Sequence, residues 1–220
     1  MFLSTFVNSI LSLAAAEKAE EEQEFENSFL GWITGMRAFL SYDIDDQAFL
    51  GTVREIQREL VSTGADLKLV NPKILHFTIR FLGEIDETDK AQIISALKGN
   101  VEDFEVGVSF KGLGTFPDER RISVVWVGID QGKQLEQQAL TVNNLLKSIN
   151  TLRKVDDEKF SPHVTIARVR SGRNKEKLVD FVRERKNQEL GVVKIRHLRL
   201  KLSTLTPAGP EYSDLHVFEK

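Results

Sequence analysis

The chain has 220 residues, no cysteine and a formal net charge of −3. With 41% hydrophobic and 29% charged residues it has the balance of an ordinary globular chain. The lack of cysteine excludes disulfides and thiolate metal sites, and it fits a reducing, cytoplasmic setting.

The charge is unevenly spread. Residues 1–35 carry −5, which leaves +2 on residues 36–220. A body of +2 is too weakly basic to mark a general nucleic-acid binder, but it tolerates a ligand that bears phosphate. Residues 2–16, FLSTFVNSILSLAAA, are apolar and end in small residues, as a signal-peptide core does, yet no Lys or Arg precedes them. They are also short for a membrane span. Residues 17–26 are rich in glutamate. Residues 1–35 are therefore expected to lie outside the fold, as an N-terminal extension; an upstream in-frame translation, a membrane-surface anchor and a targeting segment all fit. Residues 36–220 form the expected domain, without stable membrane association.

From Met36 the elements follow in order. Residues 38–42 read as a strand. Residues 46–62 read as a helix, with Phe49, Val53, Ile56 and Leu60 at helical spacing and Asp45 or Asp46 as its cap. Residues 74–82, ILHFTIRFL, form the clearest strand. Leu75, Phe77, Ile79 and Phe81 share one face; His76, Thr78 and Arg80 share the other. Gly83–Asp86 breaks it, and 87–98 is a helix with Ile93, Ile94 and Leu97 inward. Strands are expected at 104–111 and 121–129, with a loop at 112–117. Then come a helix at 133–149, a second strand with a polar face at 162–169, a basic helix at 174–186, and closing strands at 192–203 and 214–219. This is an α+β pattern that nearly repeats itself.

The repeat carries the chemistry. His76-Phe77-Thr78-Ile79 and His163-Val164-Thr165-Ile166 lie 87 residues apart, each opening a strand and each followed by a helix. A lone strand histidine is usually structural; two in equivalent places, each with Thr two positions on, are not the expectation from chance. On a strand, residues i and i+2 face the same way, so each motif presents an imidazole beside a hydroxyl. With an ordinary pKa of about 6.5, one histidine can serve as base and the other as acid near neutrality. Threonine hydroxyls can donate to phosphate oxygens. Threonine is a poor ligand for zinc-like metals, so the pattern points to catalysis with neither metal nor cofactor. His197 and His216 lack the threonine and read as structural.

These motifs resemble those of the 2H phosphoesterase superfamily, and within it the RNA 2′,3′-cyclic phosphodiesterase group, also called 2′-5′ RNA ligase-like. The resemblance extends over 36–220 through Met36-Arg37-Ala38-Phe39, LHFTIRFLG (75–83), GTFP (114–117), SVVWVGI (123–129), FSPHVTIARV (160–169) and LTPAGPEY (205–212). It implies a bilobal fold: two pseudo-symmetric lobes of antiparallel sheet with outer helices around a central cleft. It implies His76, Thr78, His163 and Thr165 as the catalytic set, and hydrolysis of a ribose 2′,3′-cyclic phosphate at an RNA 3′ end to a 2′-phosphate. The expected partners are RNA 3′ ends or tRNA fragments bearing that group, met by a monomer. His76 is expected as the acid to the leaving 3′-oxygen and His163 as the base to water.

Four further residues are candidates for substrate binding. Arg168 matches an arginine that often follows the second motif in the family; strict alternation turns it away from His163, so it needs a bulge to reach the cleft. Arg80 has the parity of His76. Phe116 and Tyr212 are candidates to stack on a base, Tyr212 more so, whereas Phe81 belongs to the core by parity. Ligation of tRNA halves, action on a small cyclic nucleotide and non-catalytic RNA-end binding use the same features.

Overall fold

The structure is a computed structural model. It describes residues 36–130, 132–149, 152, 160–206 and 209–220; the expected extension at 1–35 lies outside these residues. The described elements are β1 (Met36–Asp43), α1 (Gln47–Ser62), β2 (Leu67–Leu69), a 3-10 turn (Pro72–Ile74), β3 (His76–Ile85), α2 (Glu87–Leu97), β4 (Val106–Pro117), β5 (Ile122–Asp130), α3 (Gly132–Leu146), β6 (His163–Val169), α4 (Lys175–Glu184), β7 (Glu189–Ile195), β8 (Leu198–Thr206) and β9 (Gly209–Phe218). The class is α+β, as expected.

The helices form where apolar spacing and caps coincide. Asp46 caps α1 by accepting the Phe49 amide at 2.8 Å, and Phe49, Val53, Ile56 and Leu60 are buried along one stripe. Asp86 and Asp89 form a reciprocal capping box at the start of α2. In α4, Leu178, Val179 and Val182 face inward, while Phe181 stays partly open beneath the Arg185 guanidinium, 3.8 Å from its ring centre.

The strands form one antiparallel sheet in the order β7-β4-β5-β6-β3-β1-β8-β9, with β2 paired to β6. It divides into two four-stranded halves, β7-β4-β5-β6 and β3-β1-β8-β9, each with a motif strand at its inner edge. Phe77↔Val164 is the one register pair that joins β3 to β6 among the described residues. The apolar face of the sheet packs on α1 and α3, and Phe77, Val127, Val164 and Leu200 on it are fully buried.

Three strand expectations are corrected. The expected strand 192–203 is two strands, the edge strand β7 of one half of the sheet and β8 of the other. They are parted at Arg196-His197, where His197 takes a φ of 60°. Two connecting residues span at most about 11 Å, so the sheet must curl until the end of β7 comes near the start of β8. Secondly, the expected loop 112–117 is the second half of β4. Gly112 makes this possible as a bulge with φ 72°, so close to the Lys186 carbonyl that a Cβ would lie 2.1 Å from its oxygen. Thirdly, β3 runs through Gly83 to Ile85 instead of breaking there.

Candidate active site

Both motif histidines are the first residues of their strands, and both line one cavity of about 720 Å³ together with Thr78 and Thr165. Antiparallel pairing of Phe77 with Val164 sets the arrangement. One step either way along this register, His76 faces Thr165 and Thr78 faces His163. The Cα atoms of the two histidines are then diagonal neighbours, about 7–8 Å apart by ordinary sheet geometry. Each imidazole has the hydroxyl of its own motif beside it on the cavity wall.

The same local bond fixes each ring. His76 Nδ1 lies 3.0 Å from the Ile74 carbonyl, and His163 Nδ1 lies 2.8 Å from the Ser161 carbonyl. A carbonyl only accepts, so each Nδ1 carries the proton and donates it. When the ring is neutral, Nε2 holds a lone pair; when it is protonated, Nε2 is an acid. An aromatic edge packs on each ring as well. Tyr212 meets His76 edge-on with centroids 4.9 Å apart, and Phe116 meets His163 likewise at 4.7 Å. Burial pushes the His76 imidazole below its ordinary pKa; Lys201 and His163 push the same way, against the Ile74 carbonyl and Asp43.

A bulge at the same motif position shapes each strand after its threonine. Along β6, Thr165 pairs with Trp126 and Ala167 with Val125, so Ile166 is the extra residue. Along β3, Thr78 pairs with Ser41 and Arg80 with Leu40, so Ile79 is extra. Parity reverses beyond each bulge. Arg168 thus joins the cavity wall, by the route that alternation demanded. Phe81, placed in the core by sequence parity, instead lines the cavity and is 59% exposed, while Leu82 takes its place inside. Arg80 is corrected for the same reason: it does not line this cavity, and its guanidinium donates to Asn143 Oδ1 on α3 at 2.7 Å. Tyr212 lines the cavity, whereas Phe116 does not and packs between Trp126 and His163.

Sequence reading missed Lys68, Arg37, Leu205 and Phe39, which also line the cavity. Lys68 sits on three-residue β2 directly opposite Arg168. Such a short strand has no periodicity to betray it. Among the described residues, no group of three or more His, Asp or Glu is placed to hold a metal ion, and no helix is long and apolar enough to cross a membrane.

Residues 38–213 match the family model of the AKAP7 2′5′ RNA ligase-like domain. This chain belongs to the 2′-5′ RNA ligase-like family of 2H phosphoesterases. Within that family it is 38% identical over 184 residues to the RNA 2′,3′-cyclic phosphodiesterase of Archaeoglobus fulgidus, covering 84% of this chain and 100% of the relative. It is 34% identical over 186 residues to the protein of the same name from Methanothermobacter thermautotrophicus, covering 83% and 98%. Solved structures share the fold. TT0787 of Thermus thermophilus superposes with a TM-score of 0.67 at 21% identity, covering 83% of this chain and 97% of that one. E. coli LigT complexed with 3′-AMP gives 0.62 at 18% identity, with the same coverage.

Proposed function

We propose that this protein hydrolyses ribose 2′,3′-cyclic phosphates at RNA 3′ ends to 2′-phosphates, by two-histidine acid–base catalysis without a metal. The convergence of two equivalent imidazole–hydroxyl pairs and Arg168 on one cavity carries the reading. The names of the relatives support the substrate. One histidine Nε2 takes a proton from water as its oxygen attacks phosphorus. The P–O3′ bond breaks opposite, and the other imidazolium protonates O3′. The products are a 2′-phosphate and a free 3′-hydroxyl. Thr78, Thr165 and Arg168 donate to the non-bridging oxygens, whose charge grows in the transition state.

Burial favours the neutral form of His76, which supports His76 as the base and leaves the acid's part to His163, the reverse of the order implied by the family resemblance. Both motifs come from one chain, so a monomer suffices, and a cytoplasmic RNA fragment is a fitting substrate.

The test is incubation of the chain with an RNA ending in 2′,3′-cyclic phosphate in the presence of EDTA. A 2′-phosphate product is expected, with turnover falling by about 10²–10⁴-fold in His76→Ala and in His163→Ala. An intact cyclic phosphate, or normal turnover in either variant, overturns the reading. A diester with a nitrophenolate leaving group needs no acid. It should recover much of the lost rate in His163→Ala and none in His76→Ala; recovery in the opposite variant reverses the roles.

A further inference from the structure

The two halves of the site share the imidazole and the hydroxyl of the motif, yet they differ one strand away. The register partner of His76 on β1 is Asp43; the register partner of His163 on β5 is Gly128. A Cβ at Gly128 would lie 2.5 Å from the Lys111 carbonyl oxygen, so no carboxylate can occupy the equivalent place beside His163.

Asp43 is gripped from behind. Lys201 Nζ lies 2.8 Å from Asp43 Oδ2 and 2.9 Å from Asp214 Oδ1. Arg199 adds its Nε at 3.4 Å from Asp43 and pairs with Asp214 through Nη1. The Lys201 side chain is only 9% exposed. Two cations, Lys201 and Arg199, balance two carboxylates, Asp43 and Asp214, so removal of one member leaves a net charge close to His76. Against the upward push of partial burial, Lys201 and Arg199 hold the Asp214 carboxyl below its usual range.

We propose that Asp43 and Lys201 are positioning residues that tune the proton affinity of His76 with opposing charges, a control that the equivalent place beside His163 lacks. The inference rests on the two-histidine reading above. The ionisable groups around His76 are Asp43 from β1, Lys201 and Arg199 from β8, Asp214 and Tyr212 from β9, and His163 from β6 across the cavity, with Arg168 and Lys68 further along the wall. Of these, Asp43 and Lys201 act on His76 with opposite signs. Their removal must therefore move its titration in opposite directions, which no purely structural defect does.

The experiment measures the acidic limb of kcat/KM against pH, and the NMR titration of His76, in the full chain. Asp43→Asn should lower both, and Lys201→Met should raise both, by roughly 0.5–1 pH unit each. The double variant should return near wild type, and Asp43→Glu should keep the wild-type limb. Should Lys201→Met not fold, the contrast of Asp43→Asn with Asp43→Glu still decides. An unmoved titration in Asp43→Asn, or shifts of both variants in one direction, overturns the inference. If the wild-type profile has no limb that depends on His76, the two-histidine reading falls instead, and the NMR titration still judges the role of Asp43.

Discussion

Five residues beyond each motif histidine, the two halves place different side chains: Phe81 in one and Arg168 in the other. The bulges at Ile79 and Ile166 turn both toward the cavity. The site is thus symmetric in its imidazole–hydroxyl pairs and asymmetric in what surrounds them, with a cation on one wall and an apolar ring on the other. Arg168→Met should raise KM by about tenfold or more with a smaller change in kcat, since a charge-assisted donor to phosphate acts in binding as well as in turnover. Thr78→Val or Thr165→Val, which remove one hydroxyl donor with little change of shape, should instead lower kcat by about 10²-fold. Steady-state kinetics on a cyclic-phosphate RNA separates the two outcomes. The His and Thr pairs were legible in the sequence because i and i+2 share a face whatever follows. Phe81 and Arg80 were misread because a bulge is a property of two strands together, and the sequence of one strand does not announce it.

At the scale of elements, the bulge in β6 is held from outside the sheet. Gln57 on α1 is buried and donates from Nε2 to the Ile166 carbonyl at 2.9 Å and to the Val70 carbonyl at 2.7 Å. The Val70 amide meets the same Ile166 oxygen at 3.0 Å. One glutamine therefore ties the helix, the residue after β2 and the bulge that carries Arg168 into the cavity. Gln57→Leu keeps the volume but strips a donor from two carbonyls in the interior. It should cost about 1–3 kcal/mol of stability, read by urea unfolding, and it should weaken substrate binding in the protein that remains folded, through the loosened bulge. Helix legibility was good because 3.6-residue spacing and Asp caps are local signals, as α1 and α2 illustrate. Strand limits were poorer where conformation overrides composition: His197 at positive φ splits β7 from β8, and Gly112 lets β4 pass through a stretch whose glycines suggested a loop.

The molecule as a whole repeats itself in sequence but does not come apart into its repeats. β1 belongs to one half of the sheet; the chain then crosses to lay α1 and β2 against β6 of the other half, and returns for β3. It crosses again for β4 to β7 and returns for β8 and β9. Each half is closed by chain that also serves its neighbour, and the seam between them is the pairing of Phe77 and Val164, both fully buried. Neither half can bury its core alone, so the protein should unfold in a single transition despite its duplication. In a Trp32→Phe background, urea unfolding followed by Trp126 fluorescence, which reports on β5, should coincide with loss of far-UV circular dichroism. Native-state hydrogen exchange should give the same opening free energy for core amides of β5 and β8. Phe77→Ala should lower that shared value by about 3–5 kcal/mol, the usual loss for a buried phenylalanine, and lower it equally on both sides of the seam. Two separate transitions, or a Phe77→Ala loss confined to β3, β1, β8 and β9, would mean that the halves are independent and that the geometry of the two histidines is set by docking rather than by folding.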